Sequence, residues 1–129
     1  ILLALTEEYW RKTLMEMRDV VGAESFVDQL EEIYTFLRVR ISDSAGVLMG
    51  SLRNVEAAGR ERMQHMHMVL REALLQSMER DSDVRESIWD EQFKKEQYAD
   101  FIIMNMMVLL RTDARDIGFF LEIVKRTLY

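Results

Sequence analysis

The chain has no cysteine and no proline, and only five of its 129 residues are glycine. Without cysteine there is no disulfide, no thiolate nucleophile and no cysteine-ligated zinc or iron–sulfur site. The lack of proline and the scarcity of glycine leave few positions that would interrupt a helix. Ten methionines, with many leucine, arginine and glutamate residues, also favour helix over strand. The composition therefore predicts an all-α fold, a bundle of four or five helices.

Long apolar runs are also scarce, and the longest lies within residues 98–110. Between Phe101 and Leu110 only Asn105 is polar. The run is too short to cross a bilayer, which needs about 20 apolar residues. A helix that is apolar on all sides must be covered on most of them by other elements. We therefore expect residues 98–110 to form a central helix that is wrapped by its neighbours.

The length of the chain corresponds to one domain, since domains have roughly 100–200 residues. The sequence begins with Ile1 and two leucines, without a methionine or a basic leader, and it ends with the apolar pair Leu128 and Tyr129. We expect residues 1–129 to be a single helical domain, excised from a larger intracellular protein, whether cytoplasmic or nuclear.

One apolar stripe runs from Phe26 to Ser77 in steps of four, three and four residues, a period of eleven. This period keeps the stripe on one side of a nearly straight helix. A single helix over 26–79 would be about 80 Å long and would require a dimeric arrangement, such as a coiled coil, to cover it. A hairpin broken near Ser42–Gly46, with helices over 26–41 and 47–79, fits the same pattern. Both alternatives remain open from the sequence.

The remaining helices are predicted from apolar periodicity and from capping residues. A first helix covers residues 2–21, and Ser25 is a candidate cap for the helix that follows. Asp83, with a glutamate three residues later, resembles a capping box that would start a helix over 84–111. The last helix is expected to begin near Thr112.

No catalytic or metal-binding motif is present. The only histidines, His65 and His67, would point about 200° apart on a helix and cannot share a metal ion. No glycine-framed serine and no phosphate-binding glycine loop occur. The sequence predicts no enzyme activity, no cofactor and no metal; a ligand-binding bundle would require a cavity that a sequence does not reveal.

Basic residues are concentrated in the middle of an acidic chain whose net charge is −6. Residues 38–80 hold seven basic and five acidic side chains. An alternative function is therefore binding to nucleic acid or another anionic surface through Arg38, Arg40, Arg53, Arg60, Arg62 and Arg71. Acidic residues interrupt this series, which makes nucleic acid the less favoured partner.

Several residues are candidates for a partner interface. Ser42, Gly46 and Gly50 would form a small-residue groove on a continuous helix, where another helix can approach closely. Methionine side chains adapt to different partners, which makes Met68 and Met104 candidates, and a buried asparagine such as Asn105 can fix the register of associating helices. Phe119 and Ile123 are candidates because they widen the apolar stripe of the last helix. The sequence predicts a non-catalytic protein–protein interaction or oligomerisation domain, with another copy of the chain or another helical protein as partner.

Overall fold

The computed structural model describes residues 2–20, 22, 25–44, 46–53 and 60–129, with side chains for 7–18, 22, 25–44, 46–50, 52–53 and 64–129. These ranges contain six α-helices, which are α1 (Leu2–Val20), α2 (Phe26–Asp43), α3 (Val47–Arg53), α4 (Arg60–Arg80), α5 (Lys95–Arg111) and α6 (Gly118–Leu128). In the same ranges there is no strand; a 3₁₀ turn spans Glu86–Ile88, and Asp90 and Phe93 form an isolated bridge. The predicted all-α bundle is confirmed, although these ranges contain six helices and not the predicted four or five.

The start of the chain follows the sequence prediction. Helix α1 occupies nearly the whole of the predicted range 2–21, of which residue 21 lies outside the described residues. The predicted cap is also present, because Ser25 Oγ accepts a hydrogen bond from the backbone N–H of Asp28 at 3.1 Å. This bond satisfies one of the N–H groups that a helix start leaves without a partner.

The single helix over 26–79 is wrong. Helix α2 ends at Asp43, and Gly46 has a φ of +85°, a backbone conformation outside the helical range. The Ser44 side chain donates to the carbonyl of Ile41 at 2.8 Å and accepts from the N–H of Leu48 at 3.1 Å. Serine therefore replaces the backbone hydrogen bonds that a continuous helix would make here.

The chain folds back on itself after this turn. The backbone N–H of Phe26 donates to Asp81 Oδ2 at 2.8 Å, and Ser77 donates to the Gln29 side chain. On an unbroken helix, residues 26 and 81 would be about 80 Å apart. The break predicted by the hairpin alternative is thus confirmed. Its second helix corresponds to α3 and α4, and residues 54–59 between them lie outside the described residues.

Two other helix starts were predicted too early. The helix expected over 84–111 begins at Lys95, where the Gln97 side chain accepts from the N–H of Lys94 at 3.4 Å. The predicted capping group, Asp83, instead donates its backbone N–H to Asp81 Oδ1 at 3.0 Å. The pairing across the loop between Asp90 and Phe93 replaces the expected first helical turns.

The last helix begins at Gly118 and not near Thr112. Helix α5 ends in a Schellman motif, in which Ala114 donates to Leu109 at 3.0 Å and Asp113 donates to Leu110 at 3.1 Å. Asp113 adopts the left-handed conformation that this motif requires, with a φ of +51°. This residue reverses the chain before α6 can start.

Helix α2, and not the apolar run on α5, is the centre of the bundle. It packs against all five other helices, whereas α1 packs against α2, α3 and α4. Seven of its side chains are buried, namely Phe26, Val27, Leu30, Ile33, Tyr34, Leu37 and Ile41. The expectation that 98–110 would be wrapped on most sides is therefore wrong, and one side of α5 is free for other contacts.

Polar anchors fix α6 on α2. The hydroxyl of Tyr129 donates to Asp81 Oδ2, the carboxylate that also binds the start of α2. The backbone N–H of Arg85 donates to the carbonyl of Leu128 at 2.9 Å. At the other end, the hydroxyl of Tyr34 lies within hydrogen-bonding distance of the carbonyls of Leu109 and Ala114. These contacts determine which side of α5 and α6 faces outward.

Candidate interaction surface

Five large apolar side chains on the outer sides of α5 and α6 are exposed. On α5, Phe101, Met104 and Val108 follow helical spacing; on α6, Phe119 and Ile123 are four residues apart. Their exposed fractions range from 41% to 81%, the highest being that of Phe119. We call these five residues the α5–α6 surface.

The opposite side of α5 explains why the α5–α6 surface is exposed. Tyr98, Ala99, Ile102, Ile103, Met106 and Leu110 are buried against the bundle. These residues also recur at helical spacing, so α5 carries one apolar stripe more than the bundle can cover. Each half-exposed side chain presents on the order of 100 Å² of apolar area, so the α5–α6 surface presents roughly 500 Å². This area lies in the upper part of the range for the largest apolar patch of a monomeric protein.

A groove between α5 and α6 joins the two halves of this surface. Phe101 and Ile123 both line it, and its volume is about 330 Å³. Thr127 near the end of α6 lies beside Tyr98 near the start of α5. The complete lining is Gln92, Phe93, Lys94, Gln97, Tyr98, Phe101, Ile123 and Thr127. Aromatic and aliphatic carbon therefore forms most of the floor of the groove.

A row of aromatic rings holds the start of α5 in place. The ring centroids of Trp89 and Phe93 are 5.7 Å apart, those of Phe93 and Tyr98 are 5.6 Å apart, and those of Tyr98 and Phe101 are 6.3 Å apart. Burial raises the pKa of Tyr98, an effect that the nearby Thr127 hydroxyl partly offsets. The phenol is thus neutral at the edge of the groove, as an apolar contact surface requires.

Three of the predicted interface residues belong to this surface. Met104, Phe119 and Ile123 are all exposed on it. Asn105 is half-buried, and its amide nitrogen donates to the carbonyl of Phe101 at 2.8 Å. Met68 is exposed on α4, outside the α5–α6 surface as defined.

The predicted small-residue groove does not form on one helix. Ser42 lies on α2, Gly46 is in the turn and Gly50 lies on α3, because the chain turns after Ser44. Ser42 and Gly46 instead line a separate groove of about 340 Å³ beside Arg38. These three residues are not brought together with Met104, Phe119 and Ile123.

Phe101 and Val108 are surface residues that the sequence prediction missed. Their spacing relative to Met104 is helical, but so is the spacing of the buried residues on the other side of α5. In an almost uniformly apolar helix, periodicity alone does not distinguish the covered side from the free side. The positions of α2, α3 and α4, against which α5 packs, decide it.

The arginines of the alternative function are largely paired where their side chains are described. Arg38 Nε lies 3.2 Å from Asp113 Oδ1, and Arg71 Nε lies 3.0 Å from Asp100 Oδ1. Arg40 forms an ion pair with Glu16 of α1. Ion pairs within the bundle reduce the positive potential that phosphate binding would need. The side chains of Arg60 and Arg62 lie outside the described residues.

The histidines belong to no metal-binding cluster among the side chains that the structure describes. His67 Nε2 lies 2.8 Å from Asp100 Oδ1, which links α4 to α5, whereas His65 is exposed. Among the residues with described side chains, no three histidine, aspartate or glutamate residues are placed to hold one ion. None of the described helices has the length and apolarity needed to cross a membrane.

The sequence matches no protein-family model, no curated protein and no solved structure. Any functional interpretation therefore depends on the geometry of the chain itself.

Proposed function

We propose that this chain is a non-catalytic helical interaction domain that works by burying the α5–α6 surface against another protein chain. The observation that carries the proposal is the exposure of five large apolar side chains on α5 and α6, two of which, Phe101 and Ile123, line the groove. Exposing roughly 500 Å² of clustered apolar surface is costly in water, and covering it is favourable by about 25 cal/mol per Å². Association with itself or with another helical protein provides that cover.

Surface charge supports a contact between proteins over one with nucleic acid. The chain carries a net charge of −6, and Glu122 and Arg126 beside the surface neutralise each other across 3.3 Å. The center of a protein interface is depleted of charge and enriched in aromatic residues and methionine. Phe101, Met104 and Phe119 fit that composition.

The substitution Met104→Asp tests this function. Met104 is 63% exposed, so the aspartate is solvated in the free protein and becomes desolvated only when the surface is covered. We expect association to weaken about tenfold or more, since substitutions at the centre of an interface commonly cost about 2 kcal/mol. Sedimentation velocity over a wide concentration range measures the effect, and circular dichroism checks the fold.

The matched control is Met15→Asp, the same change at a methionine that is 55% exposed on α1. Helix α1 packs against α2, α3 and α4 and does not contribute to the α5–α6 surface. The control should associate as the wild type does. A wild-type chain that stays monomeric at every concentration, or equal weakening by both substitutions, contradicts self-association through this surface.

A further inference from the structure

The α5–α6 surface contains both a protruding ring and a groove. Phe119 is the most exposed large apolar side chain among the described residues, at 81%. The groove of about 330 Å³ begins one helical turn farther along α6, at Ile123, and extends to Thr127. A ring and an apolar groove on one face are complementary shapes, and the exposed Phe119 does not line the groove of its own chain.

Ile123 lies midway between these two features. Phe119, Ile123 and Thr127 are four residues apart, so they lie on one side of α6 with about 6 Å between successive residues. A twofold axis through Ile123, perpendicular to α6, exchanges the positions of Phe119 and Thr127. It therefore places Phe119 of each copy over the groove of the other.

The area available agrees with a dimer. Phe93, which is also exposed and lines the groove, joins the five residues of the α5–α6 surface. Together they present roughly 600 Å², at on the order of 100 Å² each. A stable interface of standard size buries about 800 Å² per partner, somewhat more than half of it apolar. One second copy is thus able to cover most of the patch.

The charges near the axis permit this pairing. A residue on a twofold axis meets its own copy, so a charge at that point would repel itself. Ile123 is uncharged, and the nearest ion pair, between Glu122 and Arg126, is already neutral within one chain. Ile123 itself therefore brings no like charges together on the axis.

On the basis of the proposed function, we infer that the partner is a second copy of this chain, in an isologous dimer. In this dimer α6 packs antiparallel to α6 of the partner about Ile123, and Phe119 inserts between Phe101 and Thr127 of the other copy. The α5 residues Met104 and Val108 flank this central contact.

The absence of cysteine allows a direct test. The variant Ile123→Cys introduces a single thiol on the proposed axis, where the two copies of residue 123 come within the roughly 7 Å that a disulfide can bridge. We expect mild oxidation to produce a covalent dimer, about a hundredfold faster than random collision, because association raises the effective thiol concentration to the millimolar range. Non-reducing electrophoresis follows the reaction.

Met15→Cys is the matched control, since Met15 is exposed on α1, away from the proposed axis. It should cross-link only at the collision rate. A second variant, Phe119→Asp, changes a side chain that is exposed in the monomer and should leave the fold intact while it abolishes dimerisation. Circular dichroism of each variant shows whether it is folded.

Two results overturn this inference in distinguishable ways. If the wild type is dimeric but Ile123→Cys cross-links no faster than Met15→Cys, the dimer uses a different geometry and the proposed function stands. If the wild type is monomeric at every concentration and Ile123→Cys does not cross-link rapidly, self-association through this surface fails as well.

Discussion

At the scale of single residues, Asp81 is the most consequential side chain that the sequence did not reveal. The sequence predicts only a break in the helix at this position. The structure instead buries its carboxylate and gives it hydrogen bonds from Phe26, Asp83 and Tyr129. Two of these partners are 55 and 48 residues away in the chain, so no local pattern could have identified them.

The ionisation of Asp81 is coupled to folding. Burial alone would raise its pKa, but the hydrogen bonds from Phe26, Tyr129 and Asp83 outweigh burial and lower the pKa below its usual value. Burial and the nearby carboxylate raise the pKa of Tyr129 far above its ordinary value, so the phenol remains a donor. The carboxylate is therefore the form that stabilises the folded chain.

The substitution Asp81→Asn should lower the free energy of unfolding by about 1–3 kcal/mol near neutral pH, because it removes the charge from three hydrogen bonds. The folded pKa is below the unfolded value of about 3.9, so the stabilisation is complete above that value and is lost as pH falls through the folded pKa. Urea denaturation of both proteins at several pH values measures this.

The difference between wild type and Asp81→Asn should therefore shrink in acid. Asp83→Asn, at an exposed neighbouring carboxylate, is the matched control and should have little effect at any pH. A difference that stays constant from neutral to strongly acidic pH would show that the charge of Asp81 does not contribute.

At the scale of helices and turns, the apolar period of 26–77 fits both a rod and a hairpin. The serine and glycine residues near 42–46 favour the hairpin, because Ser44 and Gly46 form the turn that ends α2. The starts of α5 and α6 were not predictable in the same way. The contact of Tyr34 with Leu109 and Ala114 before α6 joins residues 75 and 80 positions apart. The aromatic row before α5 joins nearby residues, such as Trp89 and Phe93, but through ring packing that helical periodicity does not predict.

Gly46→Ala should destabilise the chain by about 1–2 kcal/mol, because alanine resists the left-handed conformation at a φ of +85°. An added Cβ meets no atom within 4 Å at this position, so the cost is conformational and not steric. Thermal or urea denaturation gives the change in free energy.

Gly50→Ala provides the opposite case. Gly50 lies within α3, and an added Cβ there also meets no atom within 4 Å. Alanine should stabilise the helix by about 0.5–1 kcal/mol. Equal effects of the two substitutions would mean that the turn between α2 and α3 does not require the left-handed conformation.

At the scale of the whole molecule, the sequence predicted the all-α bundle but misplaced its centre. The most apolar segment was expected in the middle, yet α2 occupies that position and α5 lies at the edge. The excess apolarity of α5 belongs to the α5–α6 surface, which includes the predicted Met104, Phe119 and Ile123. Which side of α5 is free depends on contacts with α2, α3 and α4, and these contacts are not encoded in the periodicity of α5 itself.

Amide hydrogen exchange at low and high protein concentration tests most directly whether the α5–α6 surface is covered by another chain. We expect peptides from α5 and α6 to exchange more slowly at high concentration, because association suppresses local opening of these helices. Peptides from α1 should be unchanged and serve as the internal control. Exchange that is independent of concentration throughout the chain, or protection confined to α1, would contradict self-association through this surface.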